Sequence, residues 1–340
     1  MAILMTSLKV VCASILALAG SGATYQYVAT KLDERNFPPI GKMIDVGGYK
    51  LHMIDAGVAF EGQPTIVIDA GAGQNSLDWC LVAPEIAKFA RVITYDRAGY
   101  AWSDASPLSR TAENVMDELH TMLHNADVSG PYILVGHSLG GINVRFFASK
   151  YPDEVAGMIL VDAGHEDTFE TMPMASSLRP NKMMTSIFMG AQYLGLNRLL
   201  SSIFQKTIAE SIKKYPLDVQ KIYWSQKSAT KMYHAFMGEC LLVEENFKHL
   251  KQDGGFLGDK PLTVIRSDKK LMYEDAIKLG YTEEQVDNQN QWNIDSQADL
   301  AKKSSRGKLI VAENSGHLIN QDRPDVIIEA VREMVENLRK

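Results

Sequence analysis

Cysteine is scarce in this sequence: Cys12, Cys80 and Cys240 are the only three. They are odd in number and far apart, so no disulfide framework is indicated, and no pair stands at the spacing of a metal site. Positive charge is not in excess either. Lys and Arg number 35 against 41 Asp and Glu, a net charge of −6, which leaves nothing to neutralise a phosphate backbone and argues against nucleic acid as a partner. The charged share of 22% and the hydrophobic share of 46% do not suit a disordered or low-complexity chain. What remains is a chain with enough apolar residues for a sizeable packed core.

Charge is also missing from one long stretch. Between Lys9 and Lys31 there is no charged residue, a run of roughly twenty residues that is long enough to cross a bilayer as a helix. Three readings fit. Small residues at Ala17-Leu18-Ala19 or Ser21-Gly22-Ala23 suit cleavage of a secretory signal. Continuation through Tyr25, Tyr27, Val28 and Ala29 suits an uncleaved anchor with the tyrosines at the interface. A helix packed on the globular part fits less well, because the stretch is apolar all round. We read residues 1–30 as a membrane anchor. Lys9 before the run, against the balanced Lys31, Asp33, Glu34 and Arg35 after it, places the rest of the chain outside the cytoplasm. Secretion after cleavage is the alternative.

From Lys42 onward short strand-like runs alternate with amphipathic helices, the pattern of an α/β domain with a mostly parallel, doubly wound sheet. Residues 42–46 and 49–54 flank Gly47-Gly48 as an antiparallel hairpin. Apolar runs follow at 65–68, 92–95, 132–135 and 158–161, and their ends line one edge of the sheet, where ligands bind in open α/β folds. Helices are expected at 111–125 and 142–150, and a last one begins near Pro324 with Ile327, Val331, Met334 and Leu338 on one face. The alternation breaks after Val161 and resumes at Pro261, an insertion on the order of ninety residues that is too long to be a structureless loop. We expect a helical cap at about 165–258 within a domain covering 31–340. Its methionines, among them Met172, Met174, Met183, Met184 and Met189, either fill irregular gaps between helices or form an adaptable apolar wall over a pocket.

The strand at 132–135 runs into Gly136-His137-Ser138-Leu139-Gly140 and then a helix, a G-x-S-x-G elbow in the strand, turn, helix context that it requires. The tight turn strains the serine backbone, and Gly136 and Gly140 keep side chains out of the crossing. Ser138 then stands at a helix N-terminus, which favours a developing negative charge. Its hydroxyl needs a histidine base. Of the eight histidines, His317 follows the last strand in the loop Glu313-Asn314-Ser315-Gly316-His317 and so reaches the same sheet edge as Ser138. His165, just beyond the strand at 158–161, is a candidate to line the pocket.

The chain order of Ser138, an acid and His317, with Gly71-Ala72-Gly73 after an early strand, resembles the α/β-hydrolase superfamily, in its capped serine-nucleophile members such as esterases, lipases and proline iminopeptidase-like enzymes. The segment 96–104, Asp-Arg-Ala-Gly-Tyr-Ala-Trp-Ser-Asp, is similar to that superfamily's D-R-x-G-x-G-x-S, with Ala101 and Trp102 departing from it. The resemblance covers almost everything from Lys42 on and implies a helical cap after strand six. It also implies an oxyanion hole from the backbone N–H groups of Ala72 and Leu139, with Gly71, His137 and His165 near the substrate. Where many members have His-Gly before the first of these donors, this chain has Ala70-Gly71. The triad acid is open between two positions. Asp162 stands at the end of strand six, about two dozen residues beyond Ser138, a spacing that some members use. Asp268 follows strand seven, but Ser267 occupies the usual glycine there, and Lys269 and Lys270 occupy the usual acid positions. We favour Asp162.

Dehalogenases and epoxide hydrolases of similar architecture carry an aspartate at the elbow, so Ser138 points to acyl transfer instead. The resemblance implies cleavage of a small or medium apolar ester through an acyl-serine, with no cofactor and no metal. Amide or peptide hydrolysis is the alternative, and a binding protein that keeps the fold without turnover is the rival from another class. The expected partners are a small-molecule ester or amide and, through residues 1–30, a membrane.

Overall fold

The computed structural model describes residues 2–173, 175, 179–203, 212–253, 256–268, 276–277 and 280–339. Met174, Lys269 and Lys270 lie outside them. Its centre is an eight-stranded sheet with β1 Lys42–Asp45, β2 Lys50–Ala56, β3 Thr65–Asp69, β4 Val92–Tyr95, β5 Tyr132–His137, β6 Val155–Val161, β7 Leu262–Ser267 and β8 Gly307–Ala312. The spatial order is β1-β2-β4-β3-β5-β6-β7-β8. Pairing is antiparallel for β1 with β2 and β2 with β4, and parallel from there on. The hairpin between β1 and β2 turns on Gly47 and Gly48, at φ of 113° and 96°. Both glycine N–H groups donate to Asp45 Oδ1.

Strand side chains alternate between two cores, as period-two geometry requires of a sheet covered on both faces. Val67, Leu134, Met158 and Leu160 join one cluster with Val115, Leu119, Phe147 and Leu300. Ile66, Ile68, Ile133, Val135, Ile159 and Val161 join the other, with Ile327, Val331 and Met334. The first face is therefore covered by α2 Ala112–Asn125, α3 Leu139–Lys150 and Glu283–Ala301, and the second by Pro324–Leu338. The sheet, its order and its two helical layers form the α/β-hydrolase fold.

Long helices also occur elsewhere: α1 Ala2–Asn36, α4 Lys182–Tyr193, α5 Leu196–Ile203, α6 Leu217–Lys227 and α7 Thr230–Asp253; the helices Glu283–Ala301 and Pro324–Leu338 are α8 and α9. The sequence reading did not foresee α8. It is a polar helix that buries only Val286, Ser296, Gln297 and Leu300, so its apolar period is faint, although a Thr282 and Gln285 capping box marks its start. The helix expected from residue 142 begins at Leu139, directly after the turn.

The insertion does not separate as one piece at 165 and 258. The chain forms two compact units: residues 1–38 with 180–237, and residues 39–179 with 238–340. The first and last parts of the expected cap thus belong with the sheet, and α1 belongs with its middle part. α1 is one continuous helix that runs past residue 30 to Asn36.

Candidate active site

Strand β5 is buried along its whole length, and the chain leaves it through Ser138 at φ 53° and ψ −115°, then enters α3. This is the left-handed region, costly for a residue with a Cβ. The turn is held by its own hydrogen bonds: Ser138 N–H donates to the Val161 carbonyl at 3.1 Å, and the Ser138 carbonyl accepts from Gly141 at 3.0 Å and Gly164 at 3.1 Å. The flanking glycines are sterically forced. A Cβ on Gly136 would lie 2.5 Å from the Gly140 carbonyl oxygen, and one on Gly140 would lie 2.2 Å from that of Asp69. Crowding between β3 and the start of α3 therefore excludes any side chain there.

His317 reaches the same edge from the loop after β8. Its Nδ1 lies 2.7 Å from Asp162 Oδ2. Asp162 follows β6 directly and has a φ of 41°, a second strained residue at this edge. Its carboxylate also accepts from Ser267, through the backbone N–H at 3.0 Å and the hydroxyl at 3.1 Å. Burial works to lower the pKa of His317, but the hydrogen bond and negative charge of Asp162 outweigh it, and the imidazole titrates above its ordinary range. For Asp162 burial works upward and is outweighed by the bonds from His317 and Ser267, so the carboxyl titrates below its ordinary range. A neutral His317 holds its proton on Nδ1 toward this carboxylate, which leaves Nε2 as the basic nitrogen. No hydrogen bond joins Nε2 to the Ser138 hydroxyl among the described residues; such bonds often tighten only when substrate binds.

The structure gives Asp268 a different position. Its carboxylate accepts from the Asn314 N–H at 3.0 Å, and its own N–H donates to the Ser315 carbonyl at 2.8 Å, so it braces the loop that carries His317 without contacting the ring.

The segment after β3 presents backbone donors. Among the described residues, the N–H groups of Ala72 and Leu139 have no hydrogen-bond partner. Gly71 was expected near substrate, but its N–H is taken by Gln74 Oε1 at 2.9 Å, and its carbonyl accepts from Arg97 Nη2 at 2.8 Å. His137 was expected there too. It is buried, with Nδ1 2.7 Å from Gln74 Oε1 and Nε2 2.8 Å from the His317 carbonyl. Burial pushes its pKa down to about 3, and the nearby His317 ring adds to the effect. His137 is thus a strut under the His317 loop. His165, also expected there, is buried; its Nδ1 accepts the Asp167 N–H at 3.1 Å, and its Nε2 faces Asp299 at 3.3 Å.

Sequence reasoning gave no role to the ion cluster behind this loop. Arg97 donates to Asp69 at 2.8 Å, to Glu239 at 2.8 and 3.2 Å and to the Ala70 carbonyl at 2.5 Å, and Tyr100 donates to Glu239 at 2.6 Å. All four side chains are buried. Arg97 lies inside the segment noted above, but Glu239, on α7, stands 142 residues away with no spacing to announce it.

Comparison with known proteins agrees with this architecture. Residues 64–194 match the family model for the alpha/beta hydrolase fold. The chain is 25% identical over 295 residues to an AB hydrolase superfamily protein of Gibberella zeae, covering 82% of this chain and 88% of the relative. It is 26% identical over 318 residues to a protein of Hormonema carpetanum named as a probable transporter, efuK, covering 86% of this chain. That relative is much longer: the chain spans 42% of its length. In structure the chain is similar to the epoxide hydrolase CorEH, with a TM-score of 0.60, 16% identity, and coverage of 87% of this chain and 98% of the other.

Proposed function

The chain belongs to the α/β-hydrolase superfamily, and we propose that within it this member is a serine hydrolase that cleaves carboxylic esters of small or medium apolar substrates. The observation that carries the reading is the pairing of His317 with Asp162 at 2.7 Å, on the sheet edge where the strained Ser138 turn stands. An epoxide-opening enzyme of this architecture presents a carboxylate at the elbow, and here a serine occupies it.

The steps follow from the groups present. His317 Nε2 removes the Ser138 hydroxyl proton as the oxygen attacks the ester carbonyl carbon. The negative charge passes to the carbonyl oxygen, where the N–H groups of Ala72 and Leu139 and the α3 N-terminus stabilise it. The imidazolium, balanced by Asp162, gives its proton to the leaving alcohol as the C–O bond breaks. Water then attacks the acyl-serine with His317 again as base, and the acid departs with Ser138 restored.

We read α1 as an uncleaved anchor with the catalytic unit outside the cytoplasm. Support comes from the helix itself: Met5–Asn36 is 32 residues long and apolar enough to span a bilayer. Recovery of the full-length chain in the soluble fraction with its N-terminus uncut would refute this, and a mature N-terminus near Gly20 or Thr24 would point to a cleaved signal.

The hydrolase reading is tested by labelling with a fluorophosphonate, followed by a chain-length series of p-nitrophenyl esters beside aminoacyl-naphthylamides. Labelling with ester turnover is expected. Labelling with amide turnover alone would move the chain to the peptidase-like members, and neither would make it a binding protein.

A further inference from the structure

Helices α4 and α5 share a compact unit with α1, and they carry an outward face unsuited to water. Positions 183–197 contain no charged residue. On α4, Met183, Met184 and Ile187 are 67%, 60% and 59% exposed, and on α5, Leu199 and Leu200 are 51% and 49% exposed. Spacings of three and four residues put Met183, Met184 and Ile187 on one stripe of α4, and Leu196, itself 46% exposed, with Leu199 and Leu200 on one stripe of α5. Soluble monomers rarely leave such a patch open.

The one arginine of α5 is turned away from that stripe. Arg198 donates to Asp33 at 2.6 Å and to Gln26 Oε1 at 3.1 Å, so its charge is neutralised against α1. The contact with α1 is close. A Cβ on Gly22 would meet the Leu194 carbonyl oxygen at 2.5 Å, and one on Gly195 would meet the Tyr25 ring at 2.8 Å. Gln26, itself buried, donates to the Ser228 carbonyl at 2.9 Å.

Leu194 and Gly195 are the two residues that join α4 to α5. Their junction is therefore seated on α1 at Gly22 and Tyr25, inside the uncharged run at 10–30. At about 1.5 Å per residue, Gly22 lies roughly 12 Å from the Thr30 end of that run and roughly 18 Å from the Val10 end. A run that fills the roughly 30 Å of hydrocarbon in a bilayer places Gly22 well below the headgroups. The junction of α4 and α5 then sits at the same depth, where the absence of charge over positions 183–197 is what the surroundings require.

We propose that the outer face of α4 and α5, formed by Met183, Met184, Ile187, Phe188, Leu199 and Leu200, docks into the acyl-chain region of a lipid bilayer beside α1. The proposal rests on the reading of α1 as a membrane segment. It commits to lipid because the element that positions this face is the helix of membrane-spanning length. The unit then holds the membrane by a surface, and Met183 and Met184 serve neither as core filling nor as a pocket wall.

The test uses full-length Ile187→Trp and Leu199→Trp chains reconstituted into phosphatidylcholine vesicles with and without bromine on the acyl chains. The unsubstituted chain supplies the emission of Trp79, Trp102, Trp224 and Trp292. Both added tryptophans are expected to lose emission in the brominated vesicles, beyond the loss in the unsubstituted chain. Flotation of the same samples reports α1 separately. A chain that floats while its added tryptophan keeps its emission overturns the docking and leaves the anchor standing, and a chain that does not float overturns both. Blue-shifted emission that ignores bromine and depends on protein concentration would mean that a second copy covers the face, which also overturns the proposal.

Discussion

Ser267 gives both its backbone N–H and its hydroxyl to the carboxylate of Asp162, at 3.0 and 3.1 Å. The end of β7 thus props up the carboxylate at the end of β6: Ser267 reaches both oxygens of Asp162, and Oδ2 also faces His317 Nδ1. An asparagine at 162 keeps the shape but loses the charge and can present an N–H to the ring. Asp162→Asn should lower kcat by roughly three to four orders of magnitude while the protein stays folded. It should also move the acid limb of kcat/KM downward, because the groups that raise the His317 pKa are gone. Asp268→Asn, which only loosens the loop, should cost far less. The reverse ranking on folded protein would transfer the acid to Asp268.

Ser138→Ala removes one hydroxyl from a half-buried position and disturbs little packing. Ester turnover and fluorophosphonate labelling should vanish together with the circular dichroism spectrum unchanged. Activity near that of the unsubstituted chain would end the acyl-serine mechanism.

Local sterics made the elbow legible. Two glycines flank Ser138 because β3 and α3 leave no space for a Cβ, and that demand is written at fixed spacing in the chain. The position of His317 was legible for a similar reason, since the end of the last parallel strand has to fall on the same edge as the end of β5. The choice between Asp162 and Asp268 depends on where each carboxylate points, and the φ of 41° at Asp162 leaves no trace in residue type. His137 and His165 stand next to the right strands, yet packing turned both rings onto protein partners. Glu239 meets Arg97 only through the fold.

His137 makes stability depend on pH. In the unfolded chain its imidazole titrates near 6.5, while burial holds it near 3 in the folded protein. A lowered folded value means that the stability present above 6.5 is lost as pH falls toward 3, at about 1.4 kcal/mol per pH unit and roughly 5 kcal/mol across the window. His317 has the opposite sign. Its folded value is raised, so its contribution is full below 6.5 and is lost as pH climbs through that folded value. Urea midpoints are measured from pH 7 down to about 4.5, above most of the carboxylate range, and the difference between the unsubstituted chain and a His137 variant reports His137. His137→Gln, whose amide can still donate to the His317 carbonyl, should flatten this slope, and parallel slopes for the two proteins would refute the assignment.

The Gly71 carbonyl and the Ala72 N–H belong to one planar trans peptide and point in opposite directions. Arg97 Nη2 and the Gln74 N–H hold that carbonyl, at 2.8 and 3.1 Å, and in doing so they aim the Ala72 N–H away from the ion cluster. Arg97 is itself held by Glu239, so under the proposed mechanism the pair would position one of the two oxyanion donors. Arg97→Lys keeps the charge but not the planar fork that spans two carbonyls and two carboxylates. Loss of an oxyanion donor costs about 100- to 1,000-fold in kcat, and a misaimed donor should approach the lower figure with KM little changed. Glu239→Gln, which loosens the grip on Arg97, should give a smaller loss of the same kind. Breaking a buried ion pair also costs stability, about 3–5 kcal/mol, so both variants are to be assayed at a temperature where they remain folded. A fall in kcat matched by slower fluorophosphonate labelling supports the positioning role. Lower stability with kcat unchanged per folded molecule would reduce the cluster to scaffolding.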